Sequence, residues 1–201
     1  SYLDKTIKMK LTTPTPDIFY EAYGVFKKHN INDLVMEVSS EGILDGRIER
    51  LEFDGAIFTN LSHEHLNTHR TMEQYFKTKT KLFENLKKKA LAVINSDDFY
   101  ATEAIAHTKA KVVTYGINSG TYQAKNIQLD VLSSSFDVFY KGMFLARFTL
   151  PLFGKYNIYN ALAAIAYAHE LGIDMKYIKE AISSLPQIDG RFMHFKNKNN
   201  V

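Results

Sequence analysis

The sequence predicts an α/β fold: a mostly parallel sheet flanked by helices, with a small antiparallel β sheet. Short apolar runs alternate with amphipathic, helix-patterned segments up to Gly116. Strands buried on both faces read as continuous apolar runs, and the segments between them supply the crossover helices of a parallel sheet. After Gly120 apolar and polar residues alternate with period two, which is typical of antiparallel strands with one exposed face.

Each element follows from a local pattern. The first helix is predicted to begin after Thr15, with Pro16 at its first position. Its apolar residues are expected to face inward: Ile18, Phe19, Ala22, Tyr23 and Phe26. The apolar runs predict parallel strands over residues 34–38, 55–58, 90–94 and 111–115, with a helix over 71–88. Antiparallel strands are predicted over 122–131, 135–140 and 143–150, and helices over 156–171 and 174–184.

The composition is that of an ordinary globular protein. The chain has 201 residues, 45% of them apolar and 23% charged, with a formal net charge of +3. Its scattered lysines do not form the basic face of a nucleic-acid-binding protein. It has no cysteine, which excludes thiolate metal sites and fits a reducing compartment. With no apolar run near the roughly 18–20 residues of a membrane helix and no signal-peptide pattern, we expect a cytoplasmic protein without membrane partners.

Lys79 falls on the apolar stripe of the helix predicted over residues 71–88. The other members of that stripe are Met72, Tyr75, Phe76, Leu82, Phe83 and Leu86. A buried ammonium is costly unless it is paired or chemically changed. Spacing alone leaves three interpretations open: a lysine that reaches past its aromatic neighbours to solvent, a phosphate contact, or a carbamylated lysine that ligates a metal ion.

Polar side chains follow two of the predicted strands. Glu37 and Ser39 lie at the end of the first, Asn60 follows the second, and His65 comes a few residues later. In open parallel sheets ligands bind beyond the carboxyl ends of the strands, and a carboxylate with an imidazole suits a divalent cation bound to phosphates. Residues 63–69 also nearly match the two-histidine zinc motif of metallo-β-lactamase-like hydrolases, although Asn67 stands where that motif has aspartate.

Other candidate ligand-binding residues lie outside these segments. Asn157 and Asn160 share one face at the start of a predicted helix, where capping is the alternative to a ligand role. Arg191 could reach a phosphate, and Thr12 and Thr13 could bind a polar ligand or merely form a turn. None of the ten glycines begins a G-x-x-x-x-G-K-[ST] phosphate loop. We therefore expect any nucleotide site to take its phosphate cradle from outside these residues.

Several short strings resemble the Mur ligase family in order and spacing. They lie at 37–40 (Glu-Val-Ser-Ser), 46–47 (Gly-Arg), 58–62, 65–66, 79, 95–98, 154–161 and 190–191. Within the family they are most similar to the ligases that add the third peptide residue to a UDP-N-acetylmuramoyl-dipeptide. The resemblance implies that residues 1–189 are a central ATP-binding domain lacking its phosphate loop. Residues 190–201 would begin the hinge to a C-terminal domain.

The resemblance also implies an activity. ATP and Mg²⁺ would serve an amide-bond ligase of peptidoglycan synthesis, which adds meso-diaminopimelate or L-lysine to UDP-N-acetylmuramoyl-L-Ala-D-Glu through an acyl phosphate. N- and C-terminal domains would be the structural partners of this chain, and without them we expect it to be inactive. No nucleic acid partner is implied.

Individual residues receive roles from the same resemblance. Metal ligands are implied at Glu37, His65 and Lys79, the last being carbamylated and catalytic. ATP contacts are implied at Asn60, Asn157, Asn160 and Arg191. Of these, Asn157 and Asn160 fall where the family contacts adenine, and Arg191 would approach the phosphates. Substrate contacts are implied at Thr12, Thr13, Ser39, Asp45 and Arg47.

The chain departs from the family pattern at several of these strings. Glu64 and Asn67 replace the two aspartates of the usual Asp-His-Leu-Asp, Glu41 replaces the histidine after Ser-Ser, and Asp45 replaces a glutamine. Asp45 would place negative charge beside an anionic substrate. The alternatives are a folylpolyglutamate-synthase-like ligase, a catalytically idle scaffold that retains the fold, and the zinc hydrolase.

Overall fold

The computed structural model describes residues 11–62 and 69–186. Within these ranges six strands form one sheet. The strands are β1 (Gly55–Phe58), β2 (Leu91–Asn95), β3 (Lys111–Gly116), β4 (Tyr122–Leu129), β5 (Ser134–Tyr140) and β6 (Met143–Leu150). The helices are α1 (Pro16–Lys28), α2 (Ser40–Leu44), α3 (Met72–Glu84), α4 (Ala101–Ala106), α5 (Lys155–Glu170) and α6 (Met175–Ser183).

The sheet changes from parallel to antiparallel along its width. Strands β1 to β4 pair in parallel in chain order, and β4, β5 and β6 pair antiparallel. The β3–β4 pairing covers only Tyr115 with Tyr122 and Gly116 with Gln123. The predicted fold class is confirmed. The antiparallel strands, however, continue the parallel sheet rather than forming a separate one.

Both faces of the sheet are covered, as its continuous apolar strands require. Strand β2 is buried throughout and alternates between two cores. Val93 packs in the core that includes Leu162 of α5, and Ile94 packs in the core that includes Phe83 of α3. This arrangement aligns the carboxyl ends of β1, β2 and β3 along one edge of the sheet.

The predicted strand over residues 34–38 is wrong. Residues 31–39 have no regular secondary structure, and the exposed fraction is 98% for Val35 and 50% for Leu34. A strand is stable only where a neighbour accepts and donates its backbone hydrogen bonds. No described strand pairs with this segment, so its apolar pattern does not produce one.

Helix α1 begins at Pro16 as predicted, but its apolar face is only partly buried. Ala22 is the buried residue of the helix, whereas Ile18 and Tyr23 are 40% and 49% exposed. The helix lies at the periphery of the described fold. Its neighbours there cover only part of the apolar stripe. The helices predicted over 71–88, 156–171 and 174–184 are confirmed as α3, α5 and α6, and α3 ends four residues earlier than predicted.

None of the helices in the described ranges combines the length and the hydrophobicity that a membrane span requires.

Candidate functional site

Four of the five predicted substrate-binding residues form one cluster. The backbone N–H of Ser39 donates to the Thr13 hydroxyl at 2.8 Å, and that hydroxyl donates to the Glu37 carbonyl oxygen at 3.0 Å. Arg47 Nη1 donates to the Thr13 carbonyl oxygen at 3.0 Å. Residues that are up to 34 positions apart in sequence are thereby held side by side. Thr12 is exposed next to this cluster.

A short helix and a close backbone approach hold the cluster together. The Ser39 hydroxyl caps α2 by accepting from the Gly42 N–H at 3.1 Å. Thr13 is fully buried against Gly42, where an added Cβ would lie 2.7 Å from the Thr13 Cβ. Glycine at this position therefore lets α2 approach the Thr13 side chain.

Asp45 neutralises the arginine of the cluster. Its carboxylate forms an ion pair with Arg47 Nη2, and the side chains are 56% and 14% exposed respectively. The guanidinium therefore has two partners, the carboxylate and the Thr13 carbonyl oxygen. Negative charge at position 45 is directed at Arg47 rather than at open space, so the pair presents little net charge.

Lys79 is half-buried on α3. Its Nζ lies 5.5 Å from the centroid of the Tyr75 ring, and that ring stacks on His69 with centroids 4.8 Å apart. Helix α2 packs against α3, so the helix that bears Lys79 is adjacent to the Thr13 cluster. The amine thus lies over one aromatic ring, and the three interpretations of Lys79 stay open.

The structure describes two of the three predicted metal ligands, Glu37 and Lys79. The Glu37 side chain is exposed while its backbone carbonyl is fixed by Thr13. His65 lies outside the described residues. Among the residues that are described, no three histidine, aspartate or glutamate side chains gather as a metal site. The trio of Glu37, His65 and Lys79 therefore stays a prediction.

Side chains at the end of β2 and just after it bind the loop that follows β1. Asn95 Nδ2 donates to the Thr59 carbonyl oxygen at 2.7 Å. Asp98 Oδ2 accepts from the Leu61 N–H at 2.9 Å. These bonds fix the segment that contains Asn60, whose side chain is exposed at the edge of the sheet where a ligand would bind.

Asp97 is the most heavily hydrogen-bonded carboxylate of this edge. It accepts from the backbone N–H groups of Ile117, Asn118 and Ser119 at 2.6, 2.8 and 3.0 Å. The Ser119 hydroxyl and the Tyr159 phenol also donate to it, at 3.1 and 2.8 Å. Burial alone would raise the pKa of Asp97, but these donors outweigh it and hold the pKa below the ordinary value for aspartate.

The predicted adenine contacts lie at the start of α5. Gly154 precedes the helix with φ +102°, a conformation that favours glycine. Asn157 Nδ2 donates to the Phe153 carbonyl oxygen at 2.8 Å, so its amide already helps to fix the turn. Asn160 is exposed on the same helix. Arg191 lies outside the described residues.

Sequence reasoning assigned no role to Asp97 or Tyr159. The available signal was the string Asn95-Ser96-Asp97-Asp98 directly after a buried strand, because polar residues at a carboxyl edge are candidates for the site. That string gave no indication of which carboxylate would reach the next loop. Only the fold brings Tyr159, 62 residues away, to Asp97.

Comparison with known proteins identifies the family. Residues 2–168 match the Mur ligase middle domain. The chain belongs to this family. The resemblance found in the sequence is therefore confirmed, and family membership favours it over the metallo-β-lactamase-like alternative.

Curated members of the Mur ligase family resemble this chain over nearly all its length. A UDP-N-acetylmuramoyl-L-alanyl-D-glutamate–2,6-diaminopimelate ligase from Caldanaerobacter subterraneus is 39% identical over 190 residues, covering 94% of this chain and 39% of the relative. The ligase of the same name from Listeria monocytogenes is 34% identical over 198 residues, covering 94% and 40%. The chain thus spans about two fifths of the length of these relatives.

Solved Mur ligase structures share the fold. A UDP-N-acetylmuramoyl-L-alanyl-D-glutamate–2,6-diaminopimelate ligase superposes with a TM-score of 0.79 at 26% identity, over 90% of this chain and 38% of that one. MurF ligase from Thermotoga maritima, solved in complex with ADP, superposes with a TM-score of 0.65 at 20% identity, over 75% and 35%. At that identity the second likeness concerns the fold alone.

Proposed function

We propose that this chain is the central part of an ATP-dependent carbon–nitrogen ligase of cytoplasmic peptidoglycan synthesis. The ligase adds a diamino acid, meso-diaminopimelate or L-lysine, to UDP-N-acetylmuramoyl-L-Ala-D-Glu. The observation that carries the proposal is the cluster of Thr13, Ser39 and Arg47, which gathers three implied substrate contacts beside the helix of Lys79. Relatives that are 34–39% identical are named for this reaction.

The chemistry joins a carboxylate to an amine. The terminal phosphoryl group of ATP is transferred to a substrate carboxylate, and the amine of the diamino acid then attacks the acyl phosphate, releasing phosphate and a proton. Such a reaction requires alignment and neutralisation of charge around the moving phosphoryl group. We assign that alignment to the Thr13 cluster on the substrate side and to the start of α5 on the nucleotide side.

Magnesium fits the donor atoms that the chain offers. Glu37 supplies an exposed carboxylate, a carbamate on Lys79 would supply two further oxygens, and His65 would supply an imidazole. Oxygen-rich sets of this kind suit Mg²⁺, which neutralises phosphate charge when it is bound. The half-buried position of Lys79 on the apolar stripe of α3 supports the carbamate, because burial penalises an ammonium.

The nucleotide is assigned to the carboxyl edge near α5. Asn60, Asn157, Asn160 and Arg191 are its proposed contacts. The support for the first three is their position. Asn60 follows β1, and Tyr159, which lies between the two α5 asparagines in sequence, bonds to Asp97 at the edge where ligands of open sheets bind. The phosphate cradle, the N-terminal domain and the C-terminal domain would come from other parts of the full protein.

The folylpolyglutamate-synthase-like alternative has weaker support. A folylpolyglutamate synthase complex superposes with a TM-score of 0.68 but only 15% identity, over 85% of this chain and 43% of that one. That likeness concerns the fold alone. An idle scaffold is favoured only by the unusual residues Glu41, Asp45 and Glu64, and Asp45 is accounted for by its pairing with Arg47.

Steady-state assays of the full-length protein test the proposal. ATP hydrolysis should require Mg²⁺, the UDP-N-acetylmuramoyl-dipeptide and a diamino acid together, with amide product formed in equal amount. The 201-residue chain on its own should show no turnover. Turnover with a folate and glutamate instead would replace this proposal with the alternative ligase, and no turnover with any substrate set would favour the idle scaffold.

A further inference from the structure

Asp97 joins three elements at the carboxyl edge of the sheet. It follows β2, it binds the loop after β3, and it binds Tyr159 of α5. We propose that Asp97 is a positioning residue for the adenosine end of the nucleotide, because it holds the 117–119 loop against the first turns of α5. This inference rests on the proposed function, since it assumes that the nucleotide binds at that helix.

The 117–119 loop is wrapped around the carboxylate. Three consecutive backbone N–H groups converge on Asp97, an arrangement that forms an anion-binding nest. Gly116 has no room for a side chain, because an added Cβ would lie 2.5 Å from the Ser119 carbonyl oxygen and 2.8 Å from Asp97 Cγ. The loop therefore keeps this shape only while an acceptor with the geometry of a carboxylate occupies the nest.

Tyr159 connects Asp97 and its loop to helix α5. It lies between Asn157 and Asn160 in sequence, and its phenol donates to Asp97 Oδ2 at 2.8 Å. Burial and the adjacent Asp97 charge raise the pKa of Tyr159 to about 12, so the phenol stays protonated and able to donate. The rotation of α5, and hence the direction of its two asparagines, is tied to the carboxylate.

Asp97 acts through its neighbours rather than on the ligand. Its two oxygens already accept from five donors, namely three backbone amides, one serine hydroxyl and one phenol. Little capacity remains for a metal ion or a substrate group. Asn118 and Ser119, by contrast, are exposed, and their loop lies at the edge where a nucleotide would bind.

Isothermal calorimetry of ADP binding to the full-length protein, with Mg²⁺ present, tests the inference. Asp97→Asn keeps the size of the side chain but turns one acceptor into a donor that faces N–H groups. We expect the Kd for ADP to rise about tenfold, and the KM for ATP to rise with it while the KM for the diamino acid stays within twofold. Tyr159→Phe, which removes one of the five donors, should give a smaller rise.

Asp137→Asn is the matched control. Asp137 is also a hydrogen-bonded carboxylate with a lowered pKa, but its partners Asn126 and Arg147 lie on the antiparallel strands. It should leave ADP affinity and all KM values unchanged.

The outcomes separate this inference from the proposed function. An unchanged Kd for ADP in Asp97→Asn overturns it, as does an equal rise in every KM, which would indicate a general loss of structure. Failure of the wild type to bind ADP also overturns it, because there is then no nucleotide to position. A wild type that binds ADP but forms no amide product contradicts only the proposed function, and the Asp97 comparison still decides the inference.

Discussion

The Thr13 hydroxyl accepts a 2.8 Å hydrogen bond from the Ser39 N–H and donates a 3.0 Å bond to the Glu37 carbonyl oxygen. One buried side chain thus fixes the backbone on both sides of residue 38. The segment it fixes has no strand to pair with among the residues described, so side-chain bonds supply the order that a sheet would otherwise give. This relationship makes the packing of α2 on Thr13 a sensitive point.

Gly42→Ala should destabilise the protein. Its Cβ would lie 2.7 Å from the Thr13 Cβ, so Thr13 or α2 must move, at a cost of about 1–3 kcal/mol. Gly24→Ala is the control, because nothing lies within 4 Å of its added Cβ and alanine favours helix α1. Thermal unfolding followed by circular dichroism should show a lower Tm for the first variant and an equal or higher Tm for the second. Equal Tm values in both variants would show that α2 yields without cost.

Asp45→Asn should increase the affinity for an anionic substrate. The change removes the carboxylate that neutralises Arg47 and leaves the guanidinium anchored to the Thr13 carbonyl oxygen. We expect the KM for the proposed UDP-linked substrate to fall severalfold at low ionic strength, where exposed charges are least screened. A higher KM would show instead that Asp45 is needed to orient Arg47.

Lys79→Ala should abolish most of the ligase activity proposed for the full-length protein. The variant loses the group proposed to carry the carbamate, and added short carboxylates such as acetate or formate should restore part of the rate. Lys77→Ala is the control, because Lys77 is exposed on the same helix. The measurement is kcat at saturating substrate. Wild-type kcat in the Lys79 variant, or a Lys77 variant equally impaired, would remove the proposed role.

Glu170→Gln should reduce stability near neutral pH but not in acid. Burial alone would raise the pKa of Glu170, but hydrogen bonds from Lys111 and Tyr122 hold it below the ordinary value. A carboxylate with a lowered pKa stabilises the fold above its unfolded-state pKa, about 4.3, and this contribution is lost as the pH falls through the folded-state value. The Tm difference between variant and wild type should therefore be a few degrees at pH 7 and shrink below pH 4.3.

Glu180→Gln, on the exposed surface of α6, is the matched control for that comparison. It should follow the wild type at every pH. A Glu170 variant whose Tm deficit persists unchanged in acid would show that packing, rather than ionisation, makes the contribution.

The sequence predicted most of the sheet and four of the helices because their patterns are local and strong. Strands 55–58 and 111–115 appear as β1 and β3 within one residue. The failures share one cause. Val35 belongs to an apolar run but is 98% exposed, and Ile18 lies on a helical stripe but is 40% exposed. Apolar patterning shows that a surface can be buried, but whether a partner covers that surface depends on other parts of the fold.

By itself the sequence determined the fold class and the family, and it singled out the residues of the Thr13 cluster, because these depend on residue type and spacing. The tertiary structure decided how the charges are paired. It directed Asp45 at Arg47 instead of at solvent, and it placed the carboxylate of Asp97 against a loop and a helix that are distant in sequence. Hydrogen bonds and ion pairs act over about 3 Å, so only the folded chain determines which of many polar residues meet.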